Sequence, residues 1–111
     1  MSEEHNGCHL GAKIKDLRKD KGFTLEQLAE KIGSGKSYIW EIESRVVKRP
    51  SAEKLTAIAQ ALETSTEFLI NNDMTEPTDE MKKAVFFRKF ESLSEDEQQK
   101  IEDIINAWSK T

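Results

Sequence analysis

Residues Thr24 to Ile42 read TLEQLAEKIGSGKSYIWEI, and this stretch decides the fold. Thr24 followed three residues later by Gln27 is a capping box. The threonine hydroxyl accepts from an amide of the first helical turn, and the glutamine side chain reaches back to the cap. Leu28, Ala29 and Ile32 then recur at helical spacing and form an inner face. Gly33-Ser34-Gly35 is a short, glycine-bearing turn. A second helix follows from about Lys36 to Ser44, with Ile39 and Ile42 inward. Two short helices joined this tightly pack on each other and on whatever precedes them. The second is thereby held out as a rigid rod, with Lys36, Ser37, Tyr38, Trp40 and Glu41 facing outward.

Upstream, a first helix is expected over about Leu10 to Lys21, with Ile14 and Leu17 inside. Gly22 is its C-cap, since glycine tolerates the left-handed conformation found there. Residues 1–9 read as a flexible tail. Downstream, Arg45-Val46-Val47-Lys48-Arg49 is a basic loop leading to Pro50. Ser51 caps a fourth helix carrying Leu55, Ile58, Ala59 and Leu62; its box is incomplete, because Lys54 stands where an acid or amide is needed. Ser65 or Thr66 opens a short fifth helix with Phe68 and Leu69. Residues 72–78 read as a linker. Two helices follow within 79–111. One, about Asp79 to Ser92, carries Met81, Val85, Phe86, Phe87 and Phe90. The other, opened by the capping box of Ser94 and Glu97, carries Ile101, Ile104, Ile105 and Trp108. The expected fold is therefore all-α: a five-helix domain over 10–71 and a C-terminal two-helix hairpin.

The 111 residues carry a net charge of −4, unevenly spread. Residues 12–54 hold 11 basic and 7 acidic side chains, a net +4; residues 73–111 hold 6 and 10, a net −4. A basic front half and an acidic tail fit a polyanion-facing domain with an appendage. The single cysteine, Cys8, excludes an internal disulfide. No apolar run approaches the roughly 20 residues of a membrane span, and the N-terminus lacks a signal-peptide core. A cytoplasmic protein without a membrane partner is expected. His5, Cys8 and His9 offer three potential ligands where structural zinc takes four, so no metal or cofactor is expected. No glycine-rich phosphate loop is present, and the segment after residue 78 is too short to hold a serine beside a base in a folded pocket, so no enzymatic activity is expected.

A rod presented in this way fits the B-DNA major groove, about 12 Å wide. The segments LRKDKGFTLEQLAEKIGSGKSYIWEIE and KRPSAEKLTAIAQALETSTEFLI resemble the Xre or phage-repressor family, the lambda-repressor-like helix-turn-helix proteins, over about residues 12–70. The resemblance implies five helices, the third reading double-stranded DNA, and a homodimer that represses transcription from a palindromic operator. By position it implies base reading by Gly35, Lys36, Ser37, Trp40 and Glu41. It places Lys48 and Arg49 against phosphate, with Thr24, Tyr38 and Arg45 as further phosphate candidates. Arg18 and Glu43 match a pair that bridges the first and third helices in the family. Two positions depart from the pattern. Leu25 stands where the family often has a phosphate-touching glutamine, which weakens that contact or transfers it to Thr24. Trp40 either reads a base or packs on the Val46-Val47 loop. Glu41 either accepts from cytosine or pairs with Lys36 or Arg45.

The C-terminal helices carry Phe86, Phe87, Phe90, Ile101, Ile105 and Trp108, more apolar surface than a lone hairpin can hide. Either this surface closes a homodimer, or the hairpin folds back on its own domain. The stretch FFRKFESLSEDEQQKIEDIINAW also resembles tails of Xre-type regulators encoded beside metallopeptidases or toxins. The alternative function is thus an interaction module or antitoxin-like regulator whose hairpin binds a partner protein.

Overall fold

The computed structural model describes residues 9–44 and 49–109. Among these, all regular structure is helical: α1 (Leu10–Asp20), α2 (Leu25–Lys31), α3 (Lys36–Glu43), α4 (Ala52–Ala61), α5 (Thr66–Ile70), α6 (Asp79–Glu91) and α7 (Glu95–Ser109).

Short polar side chains start most of these helices. The Thr24 hydroxyl accepts from the Gln27 amide at 3.0 Å, and Gln27 Oε1 accepts from the Thr24 amide at 2.8 Å. Ser51, Ser65 and Thr78 each accept from an amide three residues on. Ser94 and Glu97 form the second reciprocal box. The α2 helix stops at Gly33, whose φ of +71° lets the Ser34 amide return to the Ala29 carbonyl. The α4 helix stops in the same way, but the residue in the left-handed region is Glu63, at φ +58°.

The core is one cluster in which Ile14, Leu28, Ile39, Ile58, Leu62 and Leu69 are fully buried, with a contribution from each of the first five helices. The closest helix–helix packing is within the same set: α3 lies on α1 and α2, α4 on α2 and α5, and α5 on α1. The α1 helix approaches the end of α3 so closely that a Cβ at Gly11 would stand 2.5 Å from the Ile42 carbonyl oxygen. Lys13, 2% exposed, donates to the Phe68 and Asn71 carbonyls at the end of α5 at 2.6 and 2.7 Å.

The segment read as a linker is not separate from this core. Met74 packs against it and Met81, in the first turn of α6, is buried in it. Beyond Met81 the contacts thin out, and α7 buries no residue. The molecule is accordingly elongated, 52 × 30 × 24 Å. The core thus extends past residue 71, since the long, flexible side chains of Met74 and Met81 reach it.

Candidate nucleic-acid interface

The α3 helix is fixed from two sides. On its inner face Ile39 and Ile42 are buried. At its C-terminal end Arg18 of α1 grips Glu43 through both oxygens, Nε to Oε2 at 2.6 Å and an Nη to Oε1 at 3.0 Å. The two side chains are only 10% and 7% exposed, and Arg18 also donates to the Phe23 carbonyl. A bidentate pair so sheltered fixes an angle as well as a distance. At the N-terminal end Lys54 of α4 donates to Ser34 Oγ at 2.6 Å, and its ammonium stands 5.7 Å from the centre of the Tyr38 ring. Burial raises the Tyr38 phenol pKa above its ordinary value.

Opposite the buried residues, Gly35, Lys36, Ser37 and Trp40 are exposed and Glu41 is half-buried. Trp40 keeps 53% of its surface in water. Gly35 is the N-cap and supplies no side-chain acceptor, which leaves first-turn amides to solvent or to a ligand. Thr24 is exposed at the head of α2, its oxygen engaged by Gln27. Leu25, where the resemblance expects glutamine, packs against the core. Tyr38 is turned partly into the protein. Arg49 is exposed. Arg45 and Lys48 lie outside the described residues, as do Val46 and Val47, His5 and Cys8.

Three residues that serve this face escaped the sequence reading. Gly11 and Lys13 position α1 against α3 and α5, and Lys54 ties α4 to the turn before α3. Each acts through partners at least 20 positions away in the chain. The one sequence signal was the break in the capping box at Lys54, a side chain kept for another partner.

The second candidate surface lies on α6 and α7. Phe86, Phe87, Ile105 and Trp108 are exposed, Trp108 to 78%; Phe90 and Ile101 are half-buried. The Phe86 and Phe90 rings stack with centroids 6.4 Å apart. Besides the buried Met81, polar contacts tie α6 to the turn after α4. An Arg88 Nη donates to the Thr64 carbonyl at 3.2 Å, and Lys89 and Lys21 both donate to Glu63 Oε1. These two lysines, Lys21 foremost, hold the Glu63 carboxyl below the usual carboxylate range. An open cleft of about 240 Å³ runs between this turn and α6, lined by Pro77, Met81, Val85 and Phe86 among others. Among the described residues no group of acidic, His or Cys side chains is arranged to hold a metal ion, and no helix is long and apolar enough to cross a membrane.

Residues 14–69 match the family model described as Helix-turn-helix. The chain is similar to the HTH-type transcriptional regulator SinR of Bacillus licheniformis, 41% identical over 68 residues that cover 60% of this chain and 61% of that one. It is also similar to SinR of Bacillus subtilis strain 168, 39% identical over 62 residues, 56% of each. The chain thus spans 61% and 56% of the length of these curated relatives. Two solved structures resemble it. The crystal structure of SinR, the master regulator for biofilm formation, in complex with DNA has a TM-score of 0.52 and 40% identity, covering 54% of this chain and 95% of that one. The SinR–SinI protein complex has a TM-score of 0.56 and 28% identity, covering 92% of this chain and 99% of that one.

Proposed function

Because the chain belongs to the helix-turn-helix family, of the Xre and phage-repressor type, we propose that it is a sequence-specific DNA-binding transcriptional regulator that represses from a palindromic operator as a dimer. One observation carries the reading. The α3 helix presents Lys36, Ser37, Trp40 and Glu41 on the side opposite Ile39 and Ile42, braced by the bidentate Arg18–Glu43 pair. That is what a helix inserted in the major groove needs, with base edges read by its first turns. Similarity over this region to a SinR structure in complex with DNA supports the same reading. Lys36 donates to guanine O6 and N7 or to phosphate, Ser37 and Glu41 complete the polar edge, and Arg49 contacts the backbone.

The exposed apolar side chains of α6 and α7 serve protein contact in this proposal. A twofold dimer needs one self-complementary patch, and five of the seven exposed large apolar side chains among the described residues lie on α6 and α7. The same surface suits a helical partner protein, a second reading favoured by similarity along nearly the whole chain to SinR in its complex with SinI.

The test is binding of the full chain to duplexes it selects from a random-sequence pool, measured at several salt concentrations. Lys36→Ala should weaken the selected duplex by about 1–3 kcal/mol and random duplex by less, as expected for a base contact. Arg49→Ala should weaken both alike and flatten the plot of log affinity against log salt by about one charge. Absence of salt-dependent binding to any duplex would overturn the proposal.

A further inference from the structure

We infer that Trp40 is a specificity determinant that reads the 5-methyl group of a thymine in the major groove. The inference rests on the DNA-binding reading above and names what one exposed residue of that face recognises.

Trp40 is the anomaly of α3. Every other large apolar side chain of this helix is buried: Ile39 to 0% exposed and Ile42 to 2%, with Tyr38 partly covered and roofed by Lys54. Trp40 alone is more than half in water. At about 100° per residue it projects between Lys36 and Ser37, in the middle of the outward arc and not at its edge. It lies one turn beyond Lys36, about 6 Å along the axis. The helix carrying it is braced by the Arg18–Glu43 pair and by the close Gly11 approach, which fix where the Trp40 backbone is presented.

A groove-facing indole meets base edges, and the major-groove edges carry one apolar group, the thymine methyl. The rest of that surface is hydrogen-bond donors and acceptors, which Lys36, Ser37 and Glu41 are equipped to meet and an indole face is not. Burying the methyl against the ring removes apolar surface from water on both sides. A gain like that of one buried methylene, about 0.8 kcal/mol, corresponds to about fourfold in affinity for each half-site. The contact discriminates thymine from cytosine and from both purines, which lack the methyl at that place.

The experiment uses duplexes that the full chain selects from a random-sequence pool, with each thymine replaced in turn by deoxyuridine. That change deletes the methyl and keeps every hydrogen-bonding group. Affinities are read by fluorescence anisotropy of the labelled duplex. The expected result is one thymine in each half-site where uracil weakens wild-type binding about fourfold. Trp40→Ala should bind the thymine and uracil duplexes equally at that position and keep the wild-type response at all others. Trp40→Phe should retain part of the discrimination. Selection that succeeds, with no uracil penalty or with the same penalty in Trp40→Ala, overturns the inference alone. A pool that shows no enrichment overturns the DNA-binding reading, and the inference with it.

Discussion

Replacing Gly11 by alanine tests how tightly the mount of α3 is built. A Cβ at this position would stand 2.5 Å from the Ile42 carbonyl oxygen, 2.9 Å from that of Glu43 and 3.2 Å from the Glu43 carbonyl carbon. The first distance is roughly 0.9 Å short of ordinary van der Waals contact. All three atoms are backbone at the end of a helix, so none can rotate away, and α1 and α3 must separate. Forcing one methyl into so close a crossing costs about 1–3 kcal/mol. Alanine returns at most about 1 kcal/mol in helix propensity, and less in a first turn where Gly11 sits. A net loss of about 1–2 kcal/mol follows, or roughly 5–15 °C in the midpoint of thermal unfolding for a domain of this size. The same separation pulls Arg18 away from Glu43, so their coupling should shrink in the alanine background. Differential scanning calorimetry of Gly11→Ala, followed by Arg18 and Glu43 substitutions in both backgrounds, makes the measurement. An unchanged or raised midpoint would refute the argument, because it would mean that α1 is free to move without cost.

Three further outcomes are expected. Arg18→Met and Glu43→Leu should each cost about 3–5 kcal/mol by stranding a sheltered charge, while the double variant costs much less than their sum; simple additivity in thermal unfolding would mean the pair carries no coupling. Glu63→Gln should destabilise by under about 1 kcal/mol near neutral pH, given the exposure of its ion pairs. Because the folded carboxyl titrates below its unfolded value of about 4.3, this contribution is full above that value and is lost as pH falls through the folded one. The gap between wild type and variant should therefore close on acidification, and a gap that stays constant would reject the linkage. Truncation after Asp73 should leave a helical domain, less stable by about 1.5–3 kcal/mol for loss of the buried Met81, and monomeric in sedimentation; a truncated chain that still dimerises would remove α6 and α7 from the interface.

What the sequence disclosed divides by range. The boxes at Thr24–Gln27 and Ser94–Glu97 were readable because cap and partner are three residues apart, and the inward faces of α1 to α5 because helical period and apolar pattern coincide. The Arg18–Glu43 pair spans 25 residues and came only from family resemblance. Nothing local distinguishes Lys13 from the solvated Lys15 two residues later, yet its partners are 55 and 58 positions on. Glycine signals misled in one respect. Gly22 and Gly33 announced their turns, whereas α4 ends at Glu63, which enters the left-handed region with no glycine to mark it. Its carboxylate pairs there with Lys21 and Lys89. Met81 was placed beyond a linker because sequence alone does not show how far back a chain can fold.

The uneven charge of the chain gains a mechanical meaning from the fold. A net charge of −4 opposes approach to a polyanion, yet the acidic excess sits on residues 73–111 and the basic excess on residues 12–54. The α7 helix, with Glu95, Asp96, Glu97, Glu102 and Asp103, extends from the elongated molecule and buries nothing. Within a Debye length of about 8 Å its carboxylates repel phosphate, and beyond that distance they are screened. On the proposed reading, DNA on α3 is repelled by these carboxylates only where they come within that distance of it. The same reading assigns the exposed apolar side chains of α6 and α7 to pairing. Pairing then fixes the separation of two rigid α3 helices, which must match half-sites about 10 bp apart or a multiple of that. Joining two weak half-site contacts raises affinity through effective concentration, with no new base contact. If α3 reads the bases as proposed, substitutions on α6 and α7 should thus change operator affinity and leave the order of preferred bases within a half-site unchanged.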